Sequence, residues 1–206
     1  MGKLYHNCHG IILKKLGGSV MRQSMKAKAY VYPQPVFIIG TYDENGVANA
    51  MNAAWGQVCD FDKLMICVDH SHKTMQNILL KKEFTVSMGT RKEVVACDYV
   101  GVVSANKVPN KLEKTGWHIT KAEMVDAPIF EELPLALECK FISFDEETEL
   151  LMCQIVNVSV DDSILTDGKI DVKKLEPITY DTVHHKYIVL GDVVGNAFKD
   201  GLLLKK

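Results

Sequence analysis

Residues 36–55 read Val-Phe-Ile-Ile-Gly-Thr-Tyr-Asp-Glu-Asn-Gly-Val-Ala-Asn-Ala-Met-Asn-Ala-Ala-Trp, and this stretch decides the fold. Val36 to Tyr42 is an apolar, β-branched and aromatic run that suits a buried strand. Asp43-Glu44-Asn45-Gly46 follows, and Asn-Gly favours the positive backbone angles of a tight hairpin. Val47 to Ala54 then returns as the partner strand. Its composition is odd for a strand. Ala48, Ala50, Ala53 and Ala54 are poor strand formers and leave little side chain to pack. Two readings stay open: the strand touches a helix closely, or something other than protein lies against it. In the second case Asn49 and Asn52 supply amide donors and Trp55 walls the space.

Working outward, the chain from residue 35 is mostly strand. Lys63 to Val68 and Glu83 to Met88 are strands, and Leu135 to Ile142 alternates in strand period. Acidic Asp145-Glu146-Glu147-Thr148 makes a turn into a long strand, Leu150 to Val160, with Leu150, Met152, Val156 and Val158 on one face. Lys186 to Leu190 is a late strand, and Gly191 to Phe198 is expected as a short terminal helix. The first half of Val94 to Val103 leans to helix. Many strands, hairpins and few helices predict a mainly β domain, a closed or nearly closed barrel with flanking helices.

One helix carries chemistry. Ser71 is placed to cap it, and Met75, Ile78 and Leu79 follow at helical spacing. A helix start bears unpaired N–H groups and partial positive charge. Ser71 and Thr74 add hydroxyls, Lys73 a charge, and His72 a further donor if it faces inward. That set suits a phosphate, and it equally suits an ordinary capped helix. A strand open to a flat ring, followed by a phosphate-binding turn, together describe a nucleotide site.

In order and surroundings the two segments resemble the flavin reductase-like, FMN-binding split-barrel family, especially its flavoredoxin-type members. The resemblance extends to residues 98–116 and to Leu190-Gly191-Asp192-Val193-Val194, roughly residues 30–200 in all. It implies FMN as cofactor, with the ring along Asn49, Ala50, Met51, Asn52, Ala53, Ala54 and Trp55. It implies the phosphate at Ser71, His72, Lys73 and Thr74. It also implies a homodimer and an oxidoreductase that passes electrons from NAD(P)H or a redox protein through FMN, with no side chain needed as acid or base. Where Ala53 and Ala54 stand, many members of the family carry Ser or Thr, and Ala105 stands where Gly is common. A non-enzymatic flavin-binding module and a related split barrel holding haem, with His70, His72 or His184 as axial ligand, are the alternatives.

Bulk properties bound the rest. The chain has 206 residues, 47% hydrophobic and 24% charged, with net charge −2. That size fits one domain, and the charge gives no general reason to bind nucleic acid or an anionic membrane. No apolar run approaches the roughly 20 residues of a membrane span. The six cysteines are scattered without a C-x-x-C pair, and Cys67, Cys139 and Cys153 read as small core residues, which suits a reducing, cytoplasmic setting. Residues 1–24 read as an extension, with Gly17-Gly18 as a joint, Met21 and Met25 as alternative starts, and 25–206 as the domain. His6, Cys8 and His9 are metal-capable, but no second cluster completes a four-ligand site, so no metal is expected. Lys107, Lys111 and Lys114 read as a solvated basic loop or as a second contact to an anion, and His184-His185 as surface residues or the mouth of a site. No G-x-G-x-x-G lies between strand and helix, and P-loop, G-x-S-x-G and H-E-x-x-H patterns do not occur.

Overall fold

The computed structural model describes residues 22–205. His6, Cys8 and His9, the Gly17-Gly18 joint and Met21 lie outside the described residues. By its internal contacts the chain divides between Tyr30 and Val31. Residues 22–30 are exposed and without regular structure. The fold is that of the unit from Val31 onward.

The strands are β1 (Phe37–Tyr42), β2 (Ala48–Ala53), β3 (Gly56–Asp60), β4 (Lys63–Cys67), β5 (Glu83–Met88), β6 (Ile119–Lys121), β7 (Pro128–Phe130), β8 (Leu135–Asp145), β9 (Leu150–Val160), β10 (Leu165–Thr166), β11 (Lys169–Ile170), β12 (Ile178–Asp181) and β13 (Lys186–Val189). The helices are α1 (Lys73–Lys81), α2 (Val94–Val102) and the one-turn α3 (Val172–Leu175). Seven strands form one antiparallel sheet in the order β2-β1-β5-β8-β9-β4-β3.

That order forces the sheet to curl. β2 and β3 are its two edges, yet only Ala54 and Trp55 separate them in sequence. A flat seven-stranded sheet holds its edges about 29 Å apart. The link from Ala53 to Gly56 spans at most about 11 Å. The edges therefore come round towards one another, and the Cys67 N–H donates to the Trp55 carbonyl at 2.7 Å, which carries the β3–β4 ladder into the link. This is the expected mainly β split barrel, a curled half-barrel with few helices.

The β1–β2 hairpin pairs Phe37 with Ala53 and Tyr42 with Ala48. Its turn is looser than a two-residue Asn-Gly turn. Gly46 takes φ +77°, while the Asp43 carboxylate accepts from the N–H groups of Asn45 and Val47 at 2.9 Å each. Both faces of this hairpin are buried, so its residues alternate between two cores. Phe37, Ile39, Met51 and Ala53 join Leu64, Ile66, Phe84, Val86, Leu151 and Cys153 inside the barrel, closed over by Met75 and Ile78 of α1. Val36, Ile38 and Ala50 face the other way, against Cys97 and Val100 of α2 with Trp117 and Phe130. The small residues of β2 thus serve close packing on one side at least.

Several expectations change in detail. Leu150, Met152, Val156 and Val158 do share a face of β9, but it is the outer one; Leu151 and Cys153 hold the core. Cys139 and Cys153 are fully buried, and Cys67 only partly so. The helix expected over Gly191 to Phe198 does not form. Two glycines and adjacent valines there have poor helix propensity, and a 3-10 turn runs over Asp200–Lys205 instead. Helix α2 continues almost to Val103, longer than its first half, for a reason that belongs to the site. Among the described residues no helix is long and apolar enough to cross a membrane.

Candidate functional site

Strand β2 is an edge strand, so alternate N–H and C=O groups on its outer side have no sheet partner. Against that edge lies a cavity of about 240 Å³. Asn49, Met51 and Asn52 of β2, His72, Lys73 and Thr74 at the start of α1, residues 100–105 at the end of α2, and Lys111 line it. Six of the eleven residues singled out from the sequence therefore converge on one space. Ala50, Ala53, Ala54, Trp55 and Ser71 do not line it. Ala50 points into the α2 core and Ala53 into the barrel. Trp55 is 59% exposed at the β2–β3 crossing.

The α1 end is built for an anion. The residue before the helix is His72, not Ser71, and it keeps an extended backbone of φ −68°, ψ 137°. The Asp69 carboxylate takes the Ser71 N–H at 2.7 Å, an Asx turn that delays the helix by one residue. No side chain caps α1, and its first turn has no acidic residue. The N–H groups that open the helix are thus left without a side-chain acceptor, the usual condition for anion binding. Ser71 contributes its carbonyl instead, which accepts from Gln76 and from Asn106. Lys73 Nζ lies 3.5 Å from the Glu44 carboxylate in the hairpin turn.

Hydrogen-bond polarity orders the middle of the cavity. Asn49 is 5% exposed, and its amide nitrogen donates to Thr74 Oγ1 at 2.8 Å. That bond leaves the threonine proton to donate elsewhere. Asn49 Oδ1 is buried without a hydrogen-bond partner, which costs about 1–3 kcal/mol unless a ligand donates to it. Asn52 spends its amide nitrogen on the Cys97 carbonyl at 3.0 Å and the Tyr187 hydroxyl at 3.4 Å. Asn52 therefore has only its carbonyl oxygen left to offer, while Asn49 keeps its oxygen and one amide hydrogen. The donor role expected from the sequence is thus closed to Asn52, because internal partners claim both of its N–H groups first.

At the α2 end the sequence singles out only Lys111, as a solvated charge or as a contact to an anion. Lys111 is 3% exposed, and its ammonium donates to the carbonyls of Val100 at 2.7 Å and Val103 at 2.6 Å. It closes the helix end, which is why α2 runs so far. Burial pulls this lysine down to about 8. Lys111 is thus no solvated loop residue. Gly101 explains the close approach of α2: a Cβ there would sit 2.9 Å from Asn52 Cβ. His184 and His185 lie in the β12–β13 turn, where His184 contacts Asp181 at 2.7 Å and His185 contacts Tyr180 at 2.7 Å. They are not among the cavity's lining residues.

A cavity with a phosphate-suited helix start, an open strand edge and buried acceptors fits a flavin mononucleotide. The orphaned Asn49 Oδ1 is the observation that tests the fit, since it asks for an N–H or O–H donor such as a ribityl hydroxyl. Residues 29–186 match the family described as Flavin reductase like domain. Among curated proteins none matches this chain. Among solved structures it is similar to the flavoredoxin of Desulfovibrio vulgaris (Miyazaki F), at 33% identity and TM-score 0.84 over 88% of this chain and 100% of that one. The flavoredoxin from Methanosarcina acetivorans is 28% identical, with TM-score 0.80 over 90% of this chain and 100% of that one. An FMN-binding domain of a flavin reductases-like enzyme from Shewanella baltica OS155 shares the fold at 20% identity and TM-score 0.72, over 79% of this chain and 89% of that one. The cavity, the curled sheet and these matches agree, and the chain belongs to the flavin reductase-like family, whose FMN-binding split-barrel fold it carries.

Proposed function

We propose that this chain is an FMN-dependent oxidoreductase of the flavoredoxin type, taking electrons from NAD(P)H or a redox protein. The observation that carries the reading is Asn49 Oδ1, buried and unpartnered, on a cavity wall shared with Lys73, Thr74 and the uncapped start of α1. Bound FMN supplies the redox chemistry, and the protein binds and orients it. Lys73 and the first N–H groups of α1 hold the phosphate, with the Thr74 proton directed by Asn49. The acceptor atoms of Asn49 and Asn52 take donors of the ribityl chain or ring. The open edge of β2 would take the ring, and residues 100–105 would exclude water from one side. Haem is the weaker reading, because hydrogen-bonding groups dominate the lining and His72 is its one histidine.

A second copy of the chain is the partner that completes this reading. Met65 and Met152 are directly paired across β4 and β9, and with Val156 and Val158 they give the barrel an apolar outer face. We assign residues 25–206 to the domain and 1–24 to an extension. The cytoplasm is the compartment we assign, on the pattern of its cysteines.

The test is an absorbance spectrum of the purified protein with the released ligand identified, followed by titration of the apoprotein with FMN and with riboflavin. FMN release or uptake is expected. Lys73→Ala should weaken FMN about tenfold through the phosphate and leave riboflavin unchanged. A protein that takes up no FMN overturns the reading. NAD(P)H oxidation with an artificial acceptor then separates an oxidoreductase from a module that only carries flavin.

A further inference from the structure

Asn52 reaches beyond its own strand. Its amide nitrogen donates to the Tyr187 hydroxyl at 3.4 Å, and that hydroxyl donates to Asp98 Oδ1 at 2.8 Å. The chain of groups runs from the cavity wall on β2, through β13, to an exposed carboxylate on α2. The direction of every bond in it is fixed. A carboxylate only accepts, so Tyr187 must donate to Asp98 and can only accept from Asn52. Burial and the neighbouring carboxylate of Asp98 both raise the Tyr187 phenol, which keeps its proton. The Cys97 carbonyl holds the other amide hydrogen. An asparagine side chain can otherwise turn over and exchange its oxygen for its nitrogen. Here both outward partners are acceptors, so the flipped form would face carbonyl oxygen with oxygen.

We propose that Tyr187 and Asp98 are positioning residues that lock the Asn52 amide with its carbonyl oxygen as the ligand-facing atom, so that the cavity selects a donor of the flavin ring or ribityl chain. The proposal rests on the flavin reading above. It assigns a role to two residues on elements distant in sequence from the phosphate end, and neither lines the cavity that holds Asn52. Gly101 makes the lock possible, because α2 can lie directly on Asn52 only where no Cβ intervenes.

The test is a double-mutant cycle on FMN affinity, read by flavin fluorescence quenching on the apoprotein. Tyr187→Phe removes the acceptor from Asn52 and is expected to weaken FMN about five- to tenfold. Riboflavin should weaken by the same factor, since the phosphate is not involved. Asp98→Asn should give a smaller loss in the same sense, because an amide can still accept from the tyrosine. The decisive arm is Tyr187→Phe in an Asn52→Ala background, where no further loss is expected if tyrosine acts through asparagine. A loss that persists undiminished in that background, or a Tyr187→Phe protein that binds as wild type does, overturns the proposal while leaving the flavin reading intact. Thermal midpoints of all variants are compared with wild type, and a variant that has lost its fold is replaced by Tyr187→Leu for the same cycle. Wild-type protein that takes up neither flavin defeats the underlying reading, and the proposal falls with it.

Discussion

The two ends of the cavity are built by different means. At the α1 end, His72 to Thr74 arrive together in three consecutive residues, and the helix supplies its charge and donors by its own geometry. At the α2 end, Asn52, Gly101, Lys111, Tyr187 and Asp98 come from four separate elements and act only because the fold brings them together. The first end is a local device, and its parts are replaceable one at a time. The second is a packing device, in which each group holds its neighbour, and disturbing one disturbs the fold as well as the site.

The largest expected effect tests that second claim. Lys111→Met keeps the length of the side chain but leaves the Val100 and Val103 carbonyls without their donor, which should cost about 2–4 kcal/mol of stability by chemical denaturation. The pH dependence sharpens it. With Lys111 at about 8 in the folded chain and about 10.4 when unfolded, the unfolded state binds more protons between those values. Wild-type stability should therefore rise as pH increases through that window, by up to about 3 kcal/mol, with no contribution to the slope below 8. The Met variant lacks this rise, so the gap between the two proteins should widen from pH 7.5 to pH 10. Parallel stability curves would remove Lys111 as the buried cation of the site.

An intermediate effect belongs to the local end. Thr74→Val removes the proton that Asn49 directs towards the ligand, and it leaves the Asn49 amide without its 2.8 Å acceptor. FMN affinity should fall about ten- to thirtyfold. Stability should fall by about 1 kcal/mol, because one buried donor is orphaned. If stability fell further than binding, Thr74 would be a packing residue and the contrast between the ends would fail.

The same contrast explains what could be read without coordinates. Strand β1, the turn after Tyr42, and strands β4, β5 and β9 follow from periods of two and from turn residues, so the barrel was legible. The Lys73-Thr74 pair was legible because a helix start needs only neighbours in sequence. Asn49 and Asn52 were identified as donors, but what they spend internally was not legible, since Thr74, Cys97 and Tyr187 lie 25, 45 and 135 positions away and claim one amide hydrogen of Asn49 and both of Asn52. Lys111 sat among Lys107 and Lys114 and looked like a third solvated charge. Only its burial against a helix end distinguishes it, and no spacing rule encodes that. Glu138 lies in a strand of alternating period, which says nothing of its burial, yet it is fully buried and accepts from the Met124 N–H and from Asn157.

The smallest expected effect lies between the hairpin and the phosphate end. Lys73 rests 3.5 Å from Glu44, whose side chain is 59% exposed. Such an exposed pair is worth less than about 1 kcal/mol and is screened by salt. Its consequence for binding is nonetheless directional. A phosphate that takes Lys73 must draw it from Glu44 or accept a carboxylate nearby, so Glu44 opposes the ligand in either case. Glu44→Gln should therefore tighten FMN by about two- to fourfold at low salt and by less at high salt, with riboflavin unchanged. Stability should move by no more than a few tenths of a kcal/mol. Weaker FMN binding in the Gln variant would mean that Glu44 holds Lys73 in its working position, and the α1 end would then share the interdependence of the α2 end.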